Sequence, residues 1–316
     1  MTMFSKIGWL NFVCIKLSQS FMRVFVTGAS GFVGSAIVKE LVQAGHQVLG
    51  MVRSDKGAEA VQQAGAKPHH GDIYDLDSLQ KGAAQCDAVI HTAFNHDFTT
   101  YQANCEQDRQ VIMALGAALA GTNKPLVVTS GVGLLNYGRP VTENDTTPGS
   151  DVIPRAASEE AANAMNEQGV NTYIVRLPST VHAAGDHGFI PIVIGIAKEK
   201  GESAYIGEGN NYWPAVHRLD AAVLYRLIIE KQPAQKVYHA VAEEGIPFKQ
   251  IATVIARELN IPVVSKDGAE AEAHFGWFKH FASMGSKGSS AQTRATLGWN
   301  PVHAGLLEEL VPGVYF

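Results

Sequence analysis

The chain has 316 residues, 46% of them hydrophobic and 17% charged, with a formal net charge of -5. That is enough for one or two domains with a large buried core, and an acidic balance without a basic run argues against a nucleic-acid partner. Three cysteines (Cys14, Cys86 and Cys105) form no CxxC pair and are too few for a disulfide framework, so a reducing cytoplasm is expected.

No internal stretch of about 18 apolar residues predicts a membrane span. Residues 1–21 weakly imitate a signal peptide: Lys6 precedes an apolar run over 7–15, and Ser18 and Ser20 are small. Lys16 interrupts the run, and the fold signal begins abruptly at Met22. These 21 residues are read as an extra leader and kept out of the fold argument.

From Met22 the pattern alternates strand and helix. Residues 23–26 read as a strand, 33–44 as a helix closed by Gly45, and 47–52 as a second strand. Short runs rich in Val and Ile follow at 88–92, 126–129 and 172–177, with helices over 102–120 and 158–168. Near-continuous apolar strands separated by helices predict a parallel sheet covered on both faces. After Pro178 glycine and proline become frequent. An isolated strand is expected at 204–206, a helix over 248–259 and a short helix at 305–310. The fold class is therefore α/β, a Rossmann doubly wound parallel sheet over 22–177. A smaller C-terminal substrate lobe occupies most of 178–316, and the apolar run near 215–230 packs back on the sheet.

Thr27-Gly28-Ala29-Ser30-Gly31-Phe32-Val33-Gly34 follows the first strand and opens the first helix. Gly28 permits the tight turn, Gly31 a close backbone approach to a pyrophosphate, and Gly34 close packing of helix on sheet. The free N–H groups and partial positive charge of the helix N-terminus then face the phosphates. A carboxylate at the end of the second strand would hold the ribose 2′-OH of NAD. Val52 occupies that position here, followed by Arg53 and Ser54, which suit the 2′-phosphate of NADP. NADP is expected ahead of NAD, with a solvated Arg53 as the alternative. Asp72 and Ile73 could hold the adenine, or Asp72 could simply cap the next helix.

With this loop, Gly71-Asp72-Ile73, Val89-Ile90-His91-Thr92-Ala93, Val127-Val128-Thr129-Ser130, Arg176-Leu177-Pro178, Trp213-Pro214-Ala215-Val216-His217-Arg218-Leu219-Asp220 and Leu297-Gly298-Trp299-Asn300-Pro301 in order, the chain resembles the extended short-chain dehydrogenase/reductases. The resemblance spans 22–316. It implies a nicotinamide cofactor held also by Thr92, Ala93 and Pro178, and a small-molecule substrate. It also implies a homodimer through helices flanking the sheet, by analogy alone. The family's usual catalytic set is Asn, Ser or Thr, and Tyr-x-x-x-Lys. Here Asp108 takes the Asn position, Ser130 (or Gly131) the Ser position, and Arg155 and Glu159 fall where Tyr and Lys belong.

That replacement changes the chemistry. Arg155 cannot deprotonate near neutral pH, yet its charge could stabilise an alkoxide. Glu159 could reach the ribose hydroxyls but cannot lower a neighbour's pKa as lysine does. Alternatively, both start a surface helix and do nothing. Another proton source is then needed, and histidine titrates in the useful range. His96, His182, His187 and His217 are the candidates, in that order. No HxxxH or HExxH spacing marks a metal site among the 12 histidines. Phe189, Tyr212, Trp213, Phe275, Trp277 and Phe278 read either as an apolar substrate pocket or as core. An NADP(H)-dependent carbonyl reductase is the leading expectation. The alternatives are a dinucleotide-binding sensor without turnover and an epimerase or dehydratase with tightly held cofactor.

Overall fold

In the computed structural model, which describes residues 21–316, the first strand β1 (Arg23–Thr27) is buried on both faces. Val24 and Val26 point into one core and Phe25 into the other, as the two-residue period of a strand requires. The leader expected at 1–21 lies outside the described residues, apart from Phe21.

The chain continues through α1 (Phe32–Gln43), β2 (Gln47–Val52), α2 (Asp55–Gln63), β3 (Lys67–His70), α3 (Leu76–Ala84) and β4 (Ala88–His91). It then forms α4 (Tyr101–Leu119), β5 (Leu126–Gly131), α5 (Ala157–Glu167) and β6 (Thr172–Leu177). The second half contains β7 (Thr180–His182), α6 (Phe189–Lys200), β8 (Ser203–Ile206), β9 (Tyr212–His217), α7 (Arg218–Lys231) and β10 (Val237–His239). It closes with β11 (Glu243–Pro247), α8 (Phe248–Leu259), β12 (Val263–Lys266), α9 (Gly268–Phe275), α10 (Lys279–Ser283), α11 (Ala291–Leu297) and α12 (Leu306–Glu309).

Seven strands make one parallel sheet in the order β10-β6-β5-β4-β1-β2-β3. The order reverses between β1 and β4, and ligands of open α/β sheets bind at the carboxyl ends of the strands at such a point. One face is covered by α1 and α7, whose Ile37, Leu41, Leu224 and Ile228 are fully buried with Val24 and Val26. The other is covered by α3, α4 and α5 through Leu79, Leu115 and Met165. Fully burying an aliphatic side chain stabilises by about 1.5–3 kcal/mol, so these two layers dominate the stability of the sheet.

The predicted strands and helices of the first half are present, within a residue or two at their ends. The return of the chain to the sheet is wider than the apolar run near 215–230 suggested. Strand β10 adds the seventh strand, and the fully buried Trp299 joins the same core, its Nε1 donating to the Asp220 carbonyl at 2.9 Å. The strand expected alone at 204–206 has a parallel partner in β12.

The lobe has a three-stranded sheet, β11-β9-β7, and its own core around Trp213, Phe248, Phe275 and Phe278. Tyr212 is half-buried beside it. Most of the aromatic residues singled out in the sequence are thus core of the lobe. No helix among the described residues is long and apolar enough to cross a membrane.

Candidate active site at the carboxyl ends of β1 and β4

The glycine loop is a closed turn. Gly28 has φ +67°, and a Cβ there would lie 2.9 Å from the Ala93 nitrogen. A Cβ on Gly34 would collide with the Gly28 carbonyl oxygen. Only hydrogen fits at either position, so β1, α1 and the Thr92–Ala93 segment after β4 meet backbone to backbone. No side chain caps α1 at Gly31, and no acidic residue lies in its first turn, which leaves N–H groups of Phe32, Val33 and Gly34 for an anion.

Thr27 locks this turn to its neighbours. Its hydroxyl accepts the Thr92 and Ala93 N–H groups at 3.2 and 3.3 Å, so its proton goes to His91 Nδ1 at 2.7 Å. His91 Nε2–H then donates to Asp108 Oδ1 at 2.9 Å. The other Asp108 oxygen accepts from Arg155 Nη1 at 3.0 Å and from the Ser158 hydroxyl. Burial alone would raise the Asp108 carboxyl, but Arg155 and His91 hold it below the usual carboxylate range. A hydrogen-bonded chain thus runs from the glycine loop to Arg155.

Arg155 is fixed from a second side by Nη2 donating to the Thr129 carbonyl at 3.0 Å, and its guanidinium lies 4.2 Å from the centre of the Phe94 ring. Its side chain is only 14% exposed, so it is not a solvated helix start. Five N–H groups are available to an arginine. Three point at Asp108, Ser158 and Thr129, which leaves two for a ligand.

Glu159 is held in a buried ion pair. Its carboxylate accepts from Arg176 Nε at 2.8 Å, Arg176 Nη2 at 2.7 Å and Ser130 Oγ at 2.6 Å. All three residues are buried. The ribose contact considered for Glu159 therefore competes with a buried ion pair, and Ser130 spends its proton on the same carboxylate. Arg176 also donates to the Asp145 carbonyl at 2.8 Å and to His239 Nε2 at 3.3 Å. Burial, with Arg176 beside it, lowers His239 to about 4.

At the end of β2, Arg53 is exposed and makes no hydrogen bond among the described residues. The Ser54 hydroxyl accepts the Gly57 N–H at 3.2 Å and caps α2, while its own proton remains free to donate. Ser30 lies across from Gly57, where a Cβ would sit 3.3 Å from the Ser30 hydroxyl. The cap of α3 is Asp75, not Asp72. Asp72 instead accepts the Tyr74 N–H at 3.0 Å, and the Ile73 carbonyl accepts from Gln107 at 2.9 Å. Pro178 is buried between β6 and β7.

The histidines separate into two groups. His96 is exposed, and desolvation, Arg155 and His187 together lower its pKa. His187, from the loop before α6, reaches the glycine loop, its ring 5.8 Å from that of Phe32. His182 is elsewhere: buried, with Nδ1 bound to Glu309 Oε2 at 2.6 Å. His217 stacks on His303 at 4.5 Å and caps α7 by accepting the Leu219 N–H at 3.2 Å. His217, Asp220 and His303 lie close enough for a metal, but Asp220 is already bound by His303 and by the backbone N–H groups of Val302 and His303. The structure thus brings His96, His187 and Arg155 together and leaves His182 and His217 under the C-terminal α12.

Phe98 from the turn before α4 meets the lobe. Its ring lies 5.8 Å from Trp277 and 5.3 Å from Phe281. Trp277 is 61% exposed, so it is not core. Sequence reading missed Phe98, His91 and Arg176. His91 and Arg176 carried a visible signal, a polar residue near the end of an otherwise apolar strand.

Residues 24–241, the glycine loop and the whole Arg155 network among them, match the NAD dependent epimerase/dehydratase family. The chain belongs to that family. Among curated family relatives, "Uncharacterized protein C2A9.02" of Schizosaccharomyces pombe is 51% identical over 93% of this chain and 100% of its own length. A 4-hydroxy-2-methyl-3-oxo-4-farnesyl-3,4-dihydroquinoline-1-oxide ketoreductase of Stigmatella aurantiaca is 27% identical over 81% of this chain and 80% of its own. Among solved structures, a dTDP-glucose 4,6-dehydratase double mutant from Streptomyces venezuelae with NAD and DAU bound superposes with a TM-score of 0.74. It is 19% identical and covers 93% of this chain and 96% of its own, a likeness of fold.

Proposed function

We propose that this epimerase/dehydratase-family chain is an NADP(H)-dependent oxidoreductase that reduces the carbonyl of a small molecule in the cytoplasm. The observation that carries the reading is Arg155: a half-buried cation with two uncommitted N–H groups, held at the carboxyl end of the sheet by a network anchored in the glycine loop. The residues fit a dinucleotide. Gly28, Gly31 and Gly34 leave the backbone N–H groups of Phe32 and Val33 open to a diphosphate. Ser30, Arg53 and Ser54 suit the 2′-phosphate, Asp72 and Ile73 the adenine, and Thr92, Ala93 and Pro178 line the far side. The likeness to a ketoreductase supports a carbonyl substrate.

When bound, the reduced cofactor supplies a hydride to the carbonyl carbon. Arg155 then acts on the oxygen, where negative charge develops, as preorganised donors do in a desolvated site. His96, whose pKa desolvation and the Arg155 charge lower, gives that oxygen a proton as the imidazolium and is reprotonated by water. Ser130, bound to Glu159, and His182, bound to Glu309, take no part in this step. The test is NADPH consumption with a panel of aldehydes and ketones. Saturable turnover that falls about 100-fold in Arg155→Ala is expected. Tight NADPH binding without turnover on any of them would overturn the reductase reading. It would favour the second one, a non-catalytic dinucleotide sensor, which the pinning of Arg155 and Glu159 in buried ion pairs supports.

A further inference from the structure

Arg218 is held where a cation has no protein partner. It is the first residue of α7, and the His217 cap fixes its backbone beside the glycine loop. Its guanidinium lies 4.9 Å from the centre of the Phe32 ring, and Phe32 opens α1. The Nε atom is shut off from solvent and has no hydrogen-bond partner, and Arg218 forms no ion pair among the described residues. A ring face attracts the charge but leaves the N–H groups unsatisfied, and a shielded donor without an acceptor is costly.

The other arginines show how unusual this is. Among the described residues, all but Arg53 donate to a carboxylate or a carbonyl oxygen. The two without a partner thus sit at two separate points of the nucleotide face: Arg53 past β2, Arg218 over the first turn of α1. Those are the two places where NADP presents phosphate, a 2′-phosphate at the end of the second strand and a diphosphate at the helix N-terminus. No acidic residue in the first turn of α1 competes for Arg218.

We infer that Arg218 is a cofactor-binding residue, the cation that pairs with the bridging diphosphate while the α1 amides bind it from the loop. The inference rests on the proposed dinucleotide site. It assigns the diphosphate to a residue from the second half of the chain, so cofactor binding ties the returning helix α7 to the Rossmann unit.

Calorimetric titration of the full chain with NADPH, NADH, ADP-ribose and 2′-AMP separates the possibilities. Arg218→Ala should weaken NADPH, NADH and ADP-ribose about 10- to 100-fold and leave 2′-AMP unchanged, since charge-assisted hydrogen bonds to phosphate are of that strength. Arg53→Ala should do the reverse, weakening NADPH and 2′-AMP and sparing NADH and ADP-ribose. Arg218→Lys should recover part of the loss. A substitution that only disturbed the fold would lower the thermal midpoint and weaken all four probes together, and would overturn the assignment if Arg218→Lys did the same. Wild-type affinity for ADP-ribose in a folded Arg218→Ala protein would also overturn it. So would that result with a raised KM for a carboxylated aldehyde, which would hand the arginine to a substrate anion. If the wild type binds none of the four, the dinucleotide reading itself falls, and Arg218 with it.

Discussion

The family's lysine cannot be put back into this chain by a single substitution. Glu159 stands where the resemblance places that lysine, and its carboxylate and the Arg176 guanidinium are only 3% and 2% exposed. Removing one partner of a buried ion pair costs about 3–5 kcal/mol, because the remaining charge is left desolvated. Glu159→Gln keeps the volume and one acceptor, so a loss of about 3 kcal/mol is expected. At a urea slope of about 3 kcal/mol per molar, that moves the unfolding midpoint down by about 1 M. Glu159→Lys is worse: it buries two like charges at hydrogen-bond distance and leaves the Ser130 hydroxyl facing an ammonium. That variant should not give a stable soluble fold. The double variant Glu159→Leu/Arg176→Met should be more stable than either single one, although the Asp145 carbonyl and His239 lose a donor. Urea titration followed by circular dichroism measures the wild type, these variants and the two single ones. A soluble Glu159→Lys with the wild-type midpoint would refute the reasoning.

Four other outcomes are expected. Burial of neutral histidine makes stability depend on acid: His239 is held at about 4 against 6.5 unfolded, so the unfolded state binds the extra proton first. Its contribution, up to about 3 kcal/mol, is present above pH 6.5 and is lost as the pH falls toward 4; a His239→Asn thermal midpoint measured over that range should be flatter than the wild-type curve. Gly28→Ala forces a side chain into a left-handed turn against Ala93, and calorimetry should find NADPH affinity down at least tenfold. His96→Ala should lower kcat by about 10²-fold with little change in NADPH binding, and an unchanged kcat would remove His96 from the proton step. Trp277→Ala should raise KM for bulky apolar carbonyls several-fold and leave that for small aldehydes within about twofold, since Trp277 offers an exposed ring beside Phe98.

The parallel sheet and the dinucleotide loop were legible in the sequence because both are local. An apolar strand, three spaced glycines and an amphipathic helix are adjacent in the chain, and Gly28 and Gly34 are required by backbone collisions with the Ala93 segment and within the turn itself. Strand β10 was less legible: three residues give no period to read, and its place comes from pairing with β6 across the sheet edge. The same holds for the charges. Sequence alone located Arg155 and Glu159 as departures from a family pattern, but it could not say what a departing side chain meets. Asp108 lies 47 residues from Arg155, and Arg176 lies 17 from Glu159. Whether such a charge is a surface residue, a buried partner or a free cation facing a ligand depends on which distant side chain reaches it, and only the packing of α4, α5, β6 and α7 around the sheet decides that.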